Sequence, residues 1–107
     1  MSLIKIVIAD DEKTARQALK RALVKKYTIL EAENGDQALE LIKNKNPDIV
    51  LLDINMPKKS GFEVLEYISQ IENSPICIMM TAYGSERVAV EALKKGAWDY
   101  IAKPFQL

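Results

Sequence analysis

Residues 49 to 57 read IVLLDINMP: large aliphatic side chains run into one carboxylate, Asp53, and a loop follows. A short unbroken apolar run suits a strand buried on both faces, as in a parallel sheet covered by helices. In such sheets the functional crevice lies just beyond the carboxyl ends of the strands. Asp53 falls at that edge, with low-dielectric sheet behind it and solvent in front. A carboxylate there is costly unless something pairs with it. The rest of the chain must therefore supply its partners.

Working outward, the same pattern recurs on both sides. Ile4 to Ala9 (IKIVIA) is a β-rich run ending in Asp10-Asp11. Glu12 to Lys25 then carries Ala15, Leu19, Ala22 and Leu23 at helical spacing, with Asp11 as its N-cap. Tyr27 to Ala32 is a second strand, and Asn34-Gly35 a turn. Asp36 to Asn44 is a helix with Ala38, Leu41 and Ile42 on one face, ended by Asn46-Pro47. After Asp53 come the loop Ile54 to Ser60 and a helix from Gly61 to about Ile71, burying Val64, Leu65 and Ile68. Asn73-Ser74-Pro75 breaks the chain, and Ile76 to Met80 is another buried strand, ending at Thr81. Ser85 caps a helix to Lys95, with Ala89, Ala92 and Leu93 inward and Val90 outward. Gly61 and Gly96 mark helix ends. Trp98 to Ala102 is the last strand, with Trp98 as core, followed by Lys103-Pro104. This alternation implies right-handed βαβ crossovers and an α/β, doubly wound, flavodoxin-like five-stranded parallel sheet of order 2-1-3-4-5.

Composition narrows the function classes. The 107 residues make one domain, with 15 basic and 15 acidic side chains and no histidine. A balanced charge argues against nucleic-acid binding by this domain itself. No apolar run reaches the roughly 18 residues that span a membrane. No signal peptide is visible, and the single Cys77 sits in an apolar run as a buried thiol, which fits a cytoplasmic protein. Without histidine, His-based acid–base catalysis and most zinc sites are excluded.

Several strands end in groups that can do chemistry: Asp10 and Asp11, Asp53, Thr81 and Lys103. In the order 2-1-3-4-5 they converge at one sheet edge. Three carboxylates against one ammonium leave two negative charges uncompensated. Like charges near 4 Å repel by about 4 kcal/mol at an effective dielectric of 20. A hard divalent cation relieves this, and Mg2+ fits an all-oxygen set that also includes a phosphate. Asp53, held ionised, is a nucleophile for acyl-phosphate chemistry. Lys103 offers a point charge and Thr81 a hydroxyl to phosphoryl oxygens. Taken singly, each residue has a structural reading: helix-capping acids, a loop-start acid, a strand-end hydroxyl, a solvated lysine. Jointly these would require separate strands to end in complementary groups by accident.

The chain resembles the receiver domain of two-component response regulators. The matching pieces are IVIADDE (6–12), IVLLDINMPKKSGFEVL (49–65), MTAYGS (80–85) and KKGAWDYIAKPF (94–105). The resemblance implies that Asp53 is the phospho-acceptor and that Asp10 and Asp11 are the magnesium acids. It adds the backbone carbonyl of Asn55 as a further ligand, beside the reading of Asn55 as a turn residue next to Met56-Pro57. Thr81 and Lys103 would contact the phosphoryl group, and Tyr100 would be an aromatic switch coupled to Thr81 through the loop from Ala82 to Gly84. A sensor histidine kinase would be the donor. The stretch TAYGSERVAVEALKKGAWDYIAKPF looks most like receivers of nitrogen-regulation-type transcription activators. Receivers normally carry a fifth helix past the lysine-proline step, so the expectation from a sequence ending at Leu107 is a domain that lacks it. Such a domain would either self-associate, with the Ser85 to Lys95 helix and the last strand as the contact, or be markedly less stable than a chain extended past Leu107.

Other functions compete. A haloacid-dehalogenase-type phosphohydrolase is similar in its aspartate, hydroxyl, lysine and magnesium. It needs an acid two residues after the nucleophile, where this chain has Asn55. A binding-only pseudo-receiver would have lost a site residue. A flavodoxin would need donors in the first loop, which here is the acidic DDEKTA.

Overall fold

A computed structural model describes residues 3–81 and 86–103. The elements are β1 (Lys5–Ala9), α1 (Lys13–Leu23), β2 (Thr28–Ala32), α2 (Gly35–Lys45), β3 (Ile49–Asp53), α3 (Gly61–Gln70), β4 (Ile76–Thr81), α4 (Glu86–Lys94) and β5 (Asp99–Ala102). All strand pairs are parallel, in the order β2-β1-β3-β4-β5. The expected fold class is the observed one. No described helix is long and apolar enough to cross a membrane.

Strand alternation sorts the apolar residues into two layers. Val7, Ala9, Val50, Leu52, Cys77 and Met79 share one buried cluster with Ala38 and Ile42 of α2, Val64, Leu65 and Ile68 of α3, and Ala92 of α4. Ile6, Ile8, Leu51 and Met80 form the other with Leu19 of α1. β3 is buried on both faces, as its unbroken apolar run requires. The Cys77 thiol is buried, and burial pushes its pKa up to about 12.

Local chemistry explains where the elements start. Asn34 and Gly35 form no separate turn. Asn34 is the N-cap of α2, its side-chain oxygen accepting from the Gln37 N–H at 2.9 Å. Ser60 and Glu63 form a reciprocal capping box at α3. Asp11 does not cap α1. That position falls to Glu12, because Asp10 Oδ1 already accepts the Glu12 N–H at 2.9 Å.

Three burial expectations fail. Ala22 is exposed, and the buried stripe of α1 is Arg16 and Leu19. Leu93 is 38 % exposed, because Val88, Ala89 and Ala92 make the inner face of α4. Trp98 is 74 % exposed, since it precedes β5, where its backbone N–H donates to the Cys77 carbonyl while the side chain stays uncovered. The Ser85 cap, the loop 82–84 and everything past Lys103, including the question of a fifth helix, lie outside the described residues.

Gly61 does more than end a loop. Its N–H donates to the Ile54 carbonyl at 2.7 Å, pinning the β3–α3 loop against the strand. A Cβ there would run into the Asp53 carbonyl oxygen and stand 2.8 Å from Ile54 Cα. Backbone cannot give way as a side-chain tip can. Gly61→Ala is expected to destabilise the chain by about 1–3 kcal/mol, read as a lower urea midpoint. An unchanged midpoint would show that the loop does not need the close approach.

Candidate functional site

The carboxyl ends of β1, β3, β4 and β5 deliver the site. Asp10 follows β1 and is fully buried; Asp53 ends β3 and Thr81 ends β4, both buried. Lys103 follows β5, its N–H donating to the Thr81 carbonyl at 2.7 Å. These are the strand ends on which the sequence places the chemistry. With Asp11, Glu12 and Asn55, Asp53 and Lys103 line an open cleft of about 310 Å3.

Lys103 is the centre of the cluster. Its ammonium lies 2.6 Å from Asp10 Oδ2, 3.1 Å from Glu12 Oε1 and 3.3 Å from Asp53 Oδ2. The other Asp53 oxygen receives the backbone N–H of Asn55 at 3.4 Å. Burial, then the nearby Asp10 charge, push Asp53 up to about 6, against the opposing pull of Lys103 and the Asn55 N–H. Burial works to lower the Lys103 pKa, but Asp10, Asp53 and Glu12 outweigh it and hold it above the usual lysine range.

The donor set fits a hard cation. Asp10 Oδ2 is buried without a hydrogen bond of acceptable geometry, even though the ammonium is close. A single charge beside it does not satisfy its directional need. Carboxylate oxygens of Asp10, Asp11 and Glu12 come within 4.8 Å of one another. Asp53 stands outside that trio and reaches it through Lys103. Oxygen-only ligands of this kind suit magnesium.

Tyr100 is half-buried on the α2–α3–α4 side of the sheet, away from the cleft. Its backbone N–H donates to Asp99 Oδ1 at 2.8 Å.

Sequence reading passes over two residues. One is Glu12, read only as the start of a helix. The other is Arg16, whose side chain is 8 % exposed. Its Nη1 donates to the Asp10 carbonyl at 2.8 Å and its Nε to Glu31 Oε1 at 3.2 Å, while Nη2 lies 3.7 Å from Glu33. Lys20 and Gln17 also reach Glu31, at 3.2 and 3.1 Å. Burial raises the Glu31 pKa, but Lys20 and Arg16 bring it below its ordinary value. The signal was present: Arg16 lies on the apolar stripe of α1, and Glu31 pairs with buried Ile8 on the same face of the sheet.

Comparison with known proteins gives a consistent picture. The family described as the response regulator receiver domain matches residues 6–107. The chain is 41% identical over 104 residues to the chemotaxis protein CheY of Bacillus subtilis (strain 168), covering 95% of this chain and 87% of that protein. It is 41% identical over 104 residues to the regulatory protein AtoC of Escherichia coli (strain K12), covering 96% of this chain but only 23% of AtoC. Among solved structures, the receiver domain of NtrX from Brucella abortus superposes with a TM-score of 0.88 at 30% identity, covering 94% of this chain and 87% of that one. The family match removes the dehalogenase and flavodoxin alternatives.

The raised Asp53 pKa has a thermodynamic consequence. Unfolded, the carboxyl titrates near 3.8; folded, near 6. Between those values the folded chain holds the extra proton, so stability falls as pH rises through the window. Above it, ionised Asp53 costs about 1–3 kcal/mol without a cation. Asp53→Asn is therefore expected to be the more stable protein at pH 7.5 in chelator, and to lose the slope between pH 4 and 6. Parallel urea-stability profiles for the two proteins would contradict this.

Proposed function

The chain belongs to the response regulator receiver domain family, and from that premise we propose that Asp53 accepts the phosphoryl group that throws its switch. A receiver is a phosphorylation-dependent signalling module rather than an enzyme in the ordinary sense. In this reading a sensor histidine kinase is the donor, the domain works in the cytoplasm, and it catalyses its own phosphoryl transfer and autodephosphorylation. The output is regulation of transcription through a longer protein or a partner. The observation that carries the reading is the Lys103 ammonium drawn between buried Asp10 and Asp53, residues distant in sequence.

The residues divide the work. Asp53 attacks phosphorus as the bond to the donor nitrogen breaks, and the imidazole leaves. Asp10, Asp11, Asp53 and the Asn55 carbonyl would hold Mg2+. Bound there, the ion neutralises charge on the phosphoryl oxygens. Lys103, already above the cleft, exchanges a carboxylate for a phosphoryl oxygen. The Thr81 hydroxyl takes another, and Tyr100 follows as the switch. A complete set of site residues supports a working receiver over a binding-only one.

Acetyl phosphate with magnesium is expected to add one phosphoryl group to the chain by intact mass. Leaving out magnesium or making Asp53→Asn should leave the mass unchanged. Undiminished labelling of Asp53→Asn would sink the assignment.

Self-association belongs to the same reading. Val90 and Leu93 on α4 and Ile101 on β5 are 46, 38 and 36 % exposed. These apolar side chains make that face the candidate for a homodimer. Sedimentation at high concentration should show a dimer that Val90→Glu weakens. A strict monomer with and without beryllofluoride would rule the face out.

A further inference from the structure

The contact between Glu12 and Lys103 is explained by neither the nucleophile nor the cation site. Glu12 occupies the N-cap position of α1, yet its side chain makes no capping hydrogen bond. The carboxylate reaches across the cleft instead, 3.1 Å from the ammonium. Asp10 and Asp53 hold the same ammonium at 2.6 and 3.3 Å. An ammonium has three donors. Two of them donate to Glu12 and Asp53, and the ammonium also lies against Asp10 Oδ2 without a hydrogen bond of acceptable geometry.

A phosphoryl group on Asp53 draws the ammonium into new contacts, in competition with the carboxylates that hold it. Asp10 is fully buried and would turn to the cation rather than to water. Asp53 itself carries the new group. The Glu12 side chain is 62 % exposed and can return to solvent at small cost. We propose that Glu12 is a positioning residue that holds Lys103 in the unphosphorylated chain and competes with the phosphoryl group for it. The proposal rests on Asp53 being the phospho-acceptor.

Competition of this kind shifts the equilibrium toward the unphosphorylated state by the differential interaction alone. With one exposed partner, the pair is worth about two- to fivefold in an equilibrium. The sign separates this role from its nearest rival. As a third cation ligand beside Asp10 and Asp11, Glu12 would favour phosphorylation, and its loss would weaken it. As a holder of Lys103, its loss strengthens it. Plain repulsion of an anionic donor has the same sign as holding, but does not act through Lys103.

The test uses Glu12→Gln, Lys103→Ala and the double variant of the whole chain. Beryllofluoride binding with saturating magnesium is the equilibrium readout, and acetyl phosphate labelling the control. Glu12→Gln is expected to tighten beryllofluoride binding about two- to fivefold, with the gain absent in the Lys103→Ala background. The 15Nζ resonance of Lys103 supplies a second readout that needs neither activity nor the alanine variant. It should move on Glu12→Gln in the free chain and coincide in the two proteins once beryllofluoride is bound. Unchanged or weaker binding, a gain that survives Lys103→Ala, or an unmoved free-state resonance would each overturn the proposal. If the wild type takes no label at all, it is the phospho-acceptor reading that fails. If the wild type is labelled and Glu12→Gln binds no better, only the role of Glu12 fails.

Discussion

Among the described residues, the Lys103 ammonium is the one positive charge placed among Asp10, Glu12 and Asp53, and the arrangement of the cleft depends on it. Two of those carboxylates are buried, which water alone would not tolerate. One ammonium lessens the cost without removing it: Asp53 still titrates near 6, and Asp10 Oδ2 still lacks a hydrogen bond. The site is thus left short of positive charge and of donors. That deficit is what a divalent cation and a phosphoryl group would meet together, with the ion offsetting the acids and the ammonium turning to the anion.

Much of this was legible in the sequence because parallel sheets collect their strand ends. A buried run followed by Asp53, another followed by Asp10, and a last strand followed by Lys103 fix topology and site at once. The register then does the placing: Ala9 lies beside Leu52, Asp53 beside Met80, and Thr81 beside Ala102. A residue one step past each strand must fall in the same crevice. No side-chain detail is needed for that conclusion, which is why it survives errors of one or two residues at element ends.

What was not legible depends on side chains that reach further than periodicity can follow. Arg16 sits on the stripe where apolar residues are expected, and its charge disguises its burial. Only the partners settle the matter, since Glu31 and the Asp10 carbonyl satisfy the guanidinium on both sides. Trp98 errs the other way: its bulk suggests core, but its place before β5 leaves it uncovered. Glu12 and Asp11 trade roles because Asp10 uses one oxygen on the loop backbone. These are competitions between neighbouring groups for the same donor, and spacing carries no information about who wins.

The two faces of the sheet also differ in how readily they can respond. On one, Arg16 and Lys20 of α1 are paired to Glu31 of β2, and Arg16 grips the Asp10 carbonyl. Displacing α1 would strip a buried guanidinium of its partners, a cost of several kcal/mol. On the other face, α3 buries Val64, Leu65 and Ile68, whereas the fully buried residues of α4 are Ala89 and Ala92. Small side chains give up little apolar area when they shift. Of the described helices, α4 therefore has the least to lose by moving, and it follows the strand that ends in Thr81. Elements that move in a switch are drawn from the weakly held end of the structure. A pull on Thr81 from a modified Asp53 would meet resistance toward α1 and less toward α4, so packing, rather than the chemistry that starts a response, would set its direction.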